Sequence, residues 1–229
     1  MKLANTLKPN LLRRVVAELV GSAMLLTCVV GSGIMGERLS GGNMAVALLA
    51  NSIAVGSVLI ALILTFGSVS GVHFNPAVTI CDVIHGGLKW RDAFCYVVAQ
   101  AVGAFIGVGL ANLMFELPLF FFSTKMRSGG SQLLSEFIAT FGLLTVIWGC
   151  NRFRSSSTPF AVGFYIIAAF WFTASTSFAN PAVTLARTMS DTFAGIRLID
   201  APWFVAAQFL GAIAATLFFD WLMPKPEKR

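Results

Sequence analysis

The pentapeptide Asn-Pro-Ala-Val-Thr stands twice in the chain, at 75–79 within HFNPAVT and at 180–184 within FANPAVT. Asn-Pro reads as a helix start: asparagine is a favoured N-cap, and proline is pre-set for the first helical position, where its missing N–H costs nothing. The ICDVI and LARTM that follow each copy complete a short helix. A fold for this chain must therefore hold the same short helix twice, from two places far apart in sequence.

The surroundings of these motifs are those of a bilayer protein. Of 229 residues, 57% are hydrophobic and 11% charged, too little polar surface for a water-soluble domain of this length. Apolar stretches near the ~20 residues that cross a hydrocarbon core run over 15–35, 44–66, 93–115, 131–150, 159–177 and 201–222. The stretch after Arg14 is too long for a signal-peptide core and is read as the first span. Six spans put both termini on one side. Lys2, Lys8, Arg13, Arg14, Lys89, Arg91, Arg152, Arg154, Lys225, Lys228 and Arg229 fall on that side, against Arg38, Lys125, Arg127, Arg187 and Arg197 on the other. The basic excess predicts cytoplasmic termini, and it accounts for the net charge of +6 without a nucleic-acid site. Short loops and the lack of any Asn-x-Ser/Thr acceptor favour a bacterial inner membrane.

The two halves match beyond the pentapeptide. Glu18 in AELVGSAMLLTCV finds Glu136 in SEFIATFGLLTVI, and Gln100 and Gly103 in VAQAVGA find Gln208 and Gly211 in AAQFLGA. The predicted organisation is a first repeat over 1–115, an external connecting loop over 116–130 and a second repeat over 131–229. Three spans per half invert the second repeat relative to the first. The segments 67–85 and 176–198 then enter from opposite faces, dip in and return, which is tolerated at membrane depth only inside protein or along a watery cavity. Two helix N-termini meeting at mid-membrane each carry roughly half a positive charge, an arrangement that repels cations. Asn75 and Asn180 are expected to aim amide N–H groups into the lumen, with the backbone carbonyls of 71–74 and 175–179 as acceptors. A neutral hydrogen-bonding solute suits such a lumen.

Two NPA motifs on six spans resemble the aquaporin (major intrinsic protein) family, and the likeness runs from Glu18 to Gln208. The resemblance implies an all-α membrane protein of six transmembrane helices and two re-entrant half-helices in an inverted repeat. It implies a passive channel rather than an enzyme, assembled as a homotetramer with one pore per subunit, embedded in lipid, with small neutral solutes as its partners and no cofactor. Its pore motif falls on Asn75, Pro76, Ala77, Asn180, Pro181 and Ala182. His73, Phe74 and Ala179 are expected to line the pore, and Glu18 and Glu136 to brace the re-entrant loops by accepting backbone N–H groups. Water-selective members carry an arginine directly after the second NPA; here that position is Val183. Counted without gaps from the two asparagines, the other filter positions fall on Val55, Ala168 and Ser177. Glycerol channels keep the arginine and follow it with Asp, whereas this chain has Val183-Thr184. A wide, mostly apolar filter follows, similar to those of bacterial members linked to arsenic handling. That points to trivalent metalloid hydroxides such as arsenite, and methylated arsenicals, with polyols and some water; a water and glycerol facilitator is the alternative, and urea and ammonia stay open as solutes.

Arg187 lies one helical turn beyond Val183 and has two readings: it rims the outer vestibule, with Asp82 as its counterpart at the inner mouth, or it only suits a helix C-terminus and anchors loop carbonyls. His85 is read as interfacial, and Cys28, Cys81, Cys95 and Cys150 as small core residues without metal spacing. Gly103, Gly107 and Gly109 allow close helix approach. LPLFFFSTKM at 117–126 is an apolar external loop. A secondary transporter also uses inverted repeats, and its coupling site could only be Glu18 and Glu136; an ion channel is the third class. No nucleophile–base pair, phosphate loop or metal cluster is present to suggest an enzyme.

Overall fold

In a computed structural model, residues 9–223 are described. Lys2, Lys8, Lys225, Lys228 and Arg229 of the basic count lie outside the described residues. The chain forms α1 (Leu11–Leu39), α2 (Met44–Ser70), α3 (Pro76–Ile84), α4 (Trp90–Met114), α5 (Gly130–Phe153), α6 (Thr158–Phe172), α7 (Pro181–Ala186) and α8 (Ala201–Leu222). Six helices are long and apolar enough to cross a membrane, α6 together with the short 3-10 turn at Ser155–Ser157. Exposed Trp90, Phe94, Phe164, Trp203, Leu210 and Trp221 cover their outer faces, as a surface bathed in lipid requires.

The helix starts follow local chemistry. Asn10 caps α1 by accepting from the Arg13 N–H at 3.0 Å, and Asn43 caps α2 through the N–H groups of Ala45 and Val46. α2 runs four residues past its expected end and stops at Gly71, whose φ of 85° needs the left-handed region that glycine enters without strain. α6 ends earlier than expected, at Phe172. The Thr173 hydroxyl turns back to the Ala169 carbonyl at 2.6 Å, and the chain from there to Asn180 is non-helical, with Thr176, Ser177 and Ala179 at positive φ.

Packing repeats between halves. α1 packs on α4 as α5 packs on α8, and α1 on α2 as α5 on α6. A side chain at Gly103 would strike the Leu19 carbonyl, and one at Gly211 the Phe137 carbonyl, so the same small residue seats the same crossing in each half. Gly107 serves α1 in the same way, but Gly109 faces Leu119 of the connecting loop instead. Of the four free cysteines, Cys81 is buried and the other three are only half-buried.

The connecting loop is strapped onto the second re-entrant segment of its own chain. Phe121 and Ser123 donate to the carbonyls of Met189 and Thr188, and Arg197 to that of Lys125. Asn112 reaches both Leu119 and Met189 with its amide.

Candidate functional site: the NPA junction and its cavity

Every residue of the repeated pentapeptide has a structural task. Asn75 caps α3 by accepting from the Ala77 N–H at 2.9 Å, and Asn180 caps α7 through Ala182 and Val183. The prolines take the first helical turn. Ala77 and Ala182 are small enough to bury where the two helices meet. Val78 and Val183 face the cavity. The Thr79 and Thr184 hydroxyls return to their own asparagine carbonyls and accept from Gln100 and Gln208.

Glu18 and Glu136, both fully buried, hold the re-entrant backbones. Glu18 accepts from the N–H groups of His73 at 3.0 Å and Phe74 at 2.7 Å, from Ser70, and from Gln100 at 2.8 Å. Glu136 accepts from Phe178 and Ala179, each at 2.9 Å, and from Gln208 at 2.6 Å. All these partners are donors, which is the surrounding an ionised carboxylate needs when buried. The held backbone is strained in the same register on both sides. Val72 and Phe74 have φ of 51° and 47°, and Ser177 and Ala179 of 48° and 48°, a region that non-glycine residues enter only when the surroundings enforce it.

The two asparagines cross-link the halves. Asn75 donates its amide to the Ala179 carbonyl at 2.8 Å, and Asn180 to that of Phe74 at 2.7 Å. One N–H of each amide is used in this way, and both asparagines also line the cavity. The acceptor list also shortens, since Arg127 takes the Ser175 carbonyl at 2.8 Å. The carbonyls of Gly71, Val72, His73, Ser177 and Phe178 accept nothing from the described residues.

One cavity of about 640 Å³ runs beside this junction. It reaches from Asp82, Asn151 and Thr158 on the side of the termini, past Asn75 and Asn180, to Ser177, Val183 and Arg187 on the far side. His73, Phe74 and Ala179 line it, as does Val55. Ala168 does not. It is exposed on the outside of α6, and Ile166 and Phe170 form the wall instead. Two residues along a helix is a rotation of about 200°, so the stripe Val162, Ile166, Phe170 excludes position 168. The ungapped count fails because the backbone between Phe172 and Asn180 leaves the helix, while the stripe itself was readable at i, i+4, i+8.

His73 and Asp82 sit together at one end, Nε2 to Oδ2 at 3.7 Å, with Nδ1 of His73 3.1 Å from the Thr79 hydroxyl. His85 is apart from them, 2.9 Å from Asp220 and against Trp148. Arg187 and Asp82 thus mark opposite ends. Arg187 is 3% exposed; its Nε donates to the Ala194 carbonyl and its guanidinium lies 3.4 Å from the Phe178 ring centre. Sequence reasoning missed Phe178 and Arg127, whose guanidinium lies 4.9 Å from the same ring. Only the proximity of Phe178 to the second Asn-Pro hinted at it. Outside the spans, burial pushes the Lys125 ammonium down to about 8, with Arg127 and Arg187 adding to the effect.

The model of the major intrinsic protein family matches residues 5–179 and 153–228. The chain belongs to this family. As a major intrinsic protein it is 50% identical over 214 residues to the aquaglyceroporin AqpS of Rhizobium meliloti (strain 1021), covering 93% of this chain and 91% of that one. It is 32% identical over 118 residues to the glycerol uptake facilitator protein of Bacillus subtilis (strain 168), covering 44% and 42%. The solved structure of the aquaglyceroporin from Plasmodium falciparum shares the fold at a TM-score of 0.76 and 19% identity, covering 94% of this chain and 98% of that one. Major intrinsic proteins are multi-pass membrane channels, passive rather than enzymatic.

Proposed function

We propose that this channel passes small uncharged solutes through a wide, largely apolar far-side constriction, and that trivalent metalloid hydroxides such as arsenite are its best-suited cargo. The observation that carries the reading is the wall composition beyond the NPA junction. Val55, Ile166, Phe170 and Val183 line the cavity together with Ser177, and Val183 stands where water-selective relatives place an arginine. Without that guanidinium the passage is wider, and it costs a weakly polar solute less desolvation. Methylated arsenicals, polyols and some water follow on the same reasoning. The name of the Rhizobium relative, an aquaglyceroporin, supports the solute class but not the metalloid.

A glycerol and water facilitator is the second reading, favoured by the likeness to the glycerol uptake facilitator. A proton-coupled transporter is disfavoured because Glu18 and Glu136 spend their oxygens on the loops they brace. We further assign a homotetramer in a bacterial inner membrane with cytoplasmic termini, the last resting on the basic residues Arg13, Arg14, Lys89, Arg91, Arg152 and Arg154.

Stopped-flow influx into proteoliposomes, with and without a proton gradient, tests the proposal. Arsenite and glycerol should enter faster than into protein-free vesicles, arsenite faster than glycerol, and both irrespective of the gradient. Uptake that needs the gradient would refute the channel, and glycerol ahead of arsenite would select the second reading.

A further inference from the structure

We propose that Arg187 is the charge-selecting residue of the far-side constriction, acting from one helical turn beyond Val183, the position where the guanidinium of water-selective relatives stands. The proposal rests on the channel reading above.

Arg187 is part of the cavity wall together with Ser177, Phe178 and Val183. It is held in three ways: its backbone closes α7, its Nε is tied to the Ala194 carbonyl, and its guanidinium plane rests on Phe178. Phe178 is itself fixed edge-on against Phe204, ring centres 5.3 Å apart. Arg127 bears on that same ring and is anchored to the Gly195 and Ser175 carbonyls, both at 2.8 Å. The guanidinium therefore cannot swing away from the passage without breaking this stack.

Its charge is unpaired. Among the described residues no carboxylate forms an ion pair with it. Glu136, the acid whose charge is felt at Arg187, is occupied by Phe178, Ala179 and Gln208. Nε is the one nitrogen of Arg187 with a hydrogen-bond partner among the described residues, and the two Nη groups are not sealed from the cavity. A fixed cation in a low-dielectric wall repels other cations over the width of a pore.

Ser177 lines the same end, but its hydroxyl is buried. A passing solute thus meets the Nη groups of Arg187 together with the carbon wall of Val55, Phe170 and Val183. The fitting class is a neutral hydroxylated molecule. Moving the arginine outward by a turn keeps the exclusion of cations while leaving the narrow point wide.

The test is proton leak into proteoliposomes of the whole chain, read with an internal pH dye under an imposed potassium diffusion potential. Arg187→Leu and Arg187→Gln should each raise the leak at least about tenfold over wild type, while Arg187→Lys, which keeps the charge, should stay within about threefold. A monodisperse elution profile in detergent and the helical circular-dichroism spectrum of the reconstituted vesicles report folded, inserted protein, and the near-isosteric Arg187→Gln serves where Arg187→Leu does not reconstitute. Wild-type leak in both neutral variants would overturn the proposal, as would Arg187→Lys leaking like Arg187→Leu. Wild-type glycerol influx no faster than in protein-free vesicles would instead sink the channel reading.

Discussion

Val183→Arg puts the missing guanidinium back where water-selective relatives carry it, and the structure says what happens to it. Position 183 faces the cavity and is buried, one turn before Arg187, so the two charges would stand about 5–6 Å apart. At that separation and an effective dielectric of about 20, like-charge repulsion is roughly 3 kcal/mol. Arg187 cannot yield, because Phe178 and the Ala194 carbonyl hold it. The new side chain must then turn into the passage, toward Val55 and Ser177. Narrowing by a guanidinium leaves room for a file of water but not for a polyol-sized solute. A barrier increase of ~1.4 kcal/mol already cuts a rate about tenfold, so arsenite and glycerol influx should fall at least that much while water flux stays within about threefold. Stopped-flow light scattering on proteoliposomes measures all three. Equal losses for water and the larger solutes would refute the reasoning, because they would place Val183 away from the narrow point.

Other perturbations follow from the same geometry. Glu136→Gln replaces one acceptor oxygen by an N–H-bearing nitrogen among Phe178, Ala179 and Gln208; leaving one buried donor unmet costs about 1–3 kcal/mol. At about 2–4 °C per kcal/mol for a chain of this size, the melting temperature in detergent should drop by several degrees, and an unchanged value would argue that the carboxylate is not the brace. Phe170→Ala should raise glycerol flux relative to water, and Ala168→Leu, on the outer face of α6, should change neither; stopped-flow rates for both variants decide whether the α6 register is right. Lys125 loses its proton as the pH on the far side from the termini rises through about 8, leaving Arg127 and Arg187 as the cations beside it. Cation leak from that side should therefore increase modestly between pH 7 and 9, and Lys125→Gln should flatten that profile. For stability the sign is the opposite of an ordinary ion pair: the folded-state pKa lies below that of the unfolded chain, so folding gains as pH rises through that window.

What was legible in the sequence is what the fold uses twice. Glu18 with Gln100 and Thr79, and Glu136 with Gln208 and Thr184, form one bracing unit built in both halves, and each member announces the other by matching position. The pentapeptide was readable for a second reason, since capping by Asn-Pro is local chemistry that needs no knowledge of distant residues. The α6 wall falls on Ile166 and Phe170 rather than Ala168 because a count along the chain does not see where helix gives way to irregular backbone. The clasp of Arg127, Phe178 and Arg187 was invisible for another reason. Arg127 comes from the connecting loop, which has no counterpart in the other half, and it meets Phe178 only through tertiary folding.

That asymmetry bears on function. The internal repeat makes the corridor nearly the same from either direction: the same strained backbone turns, the same asparagine cross-links and two electropositive helix ends. A neutral solute therefore meets similar surroundings on entering from either face. The ends differ, with Asp82 beside His73 at one mouth and Arg187 stacked on Phe178 at the other. Charge discrimination thus resides where matching positions of the repeat carry unlike residues, Arg187 against Asp82 and Phe178 against His73, and solute size in the walls between them. The two properties are then separable by mutation, size at Val183 and Phe170 and charge at Arg187, whereas a water channel with its arginine at the narrow point has both in one side chain.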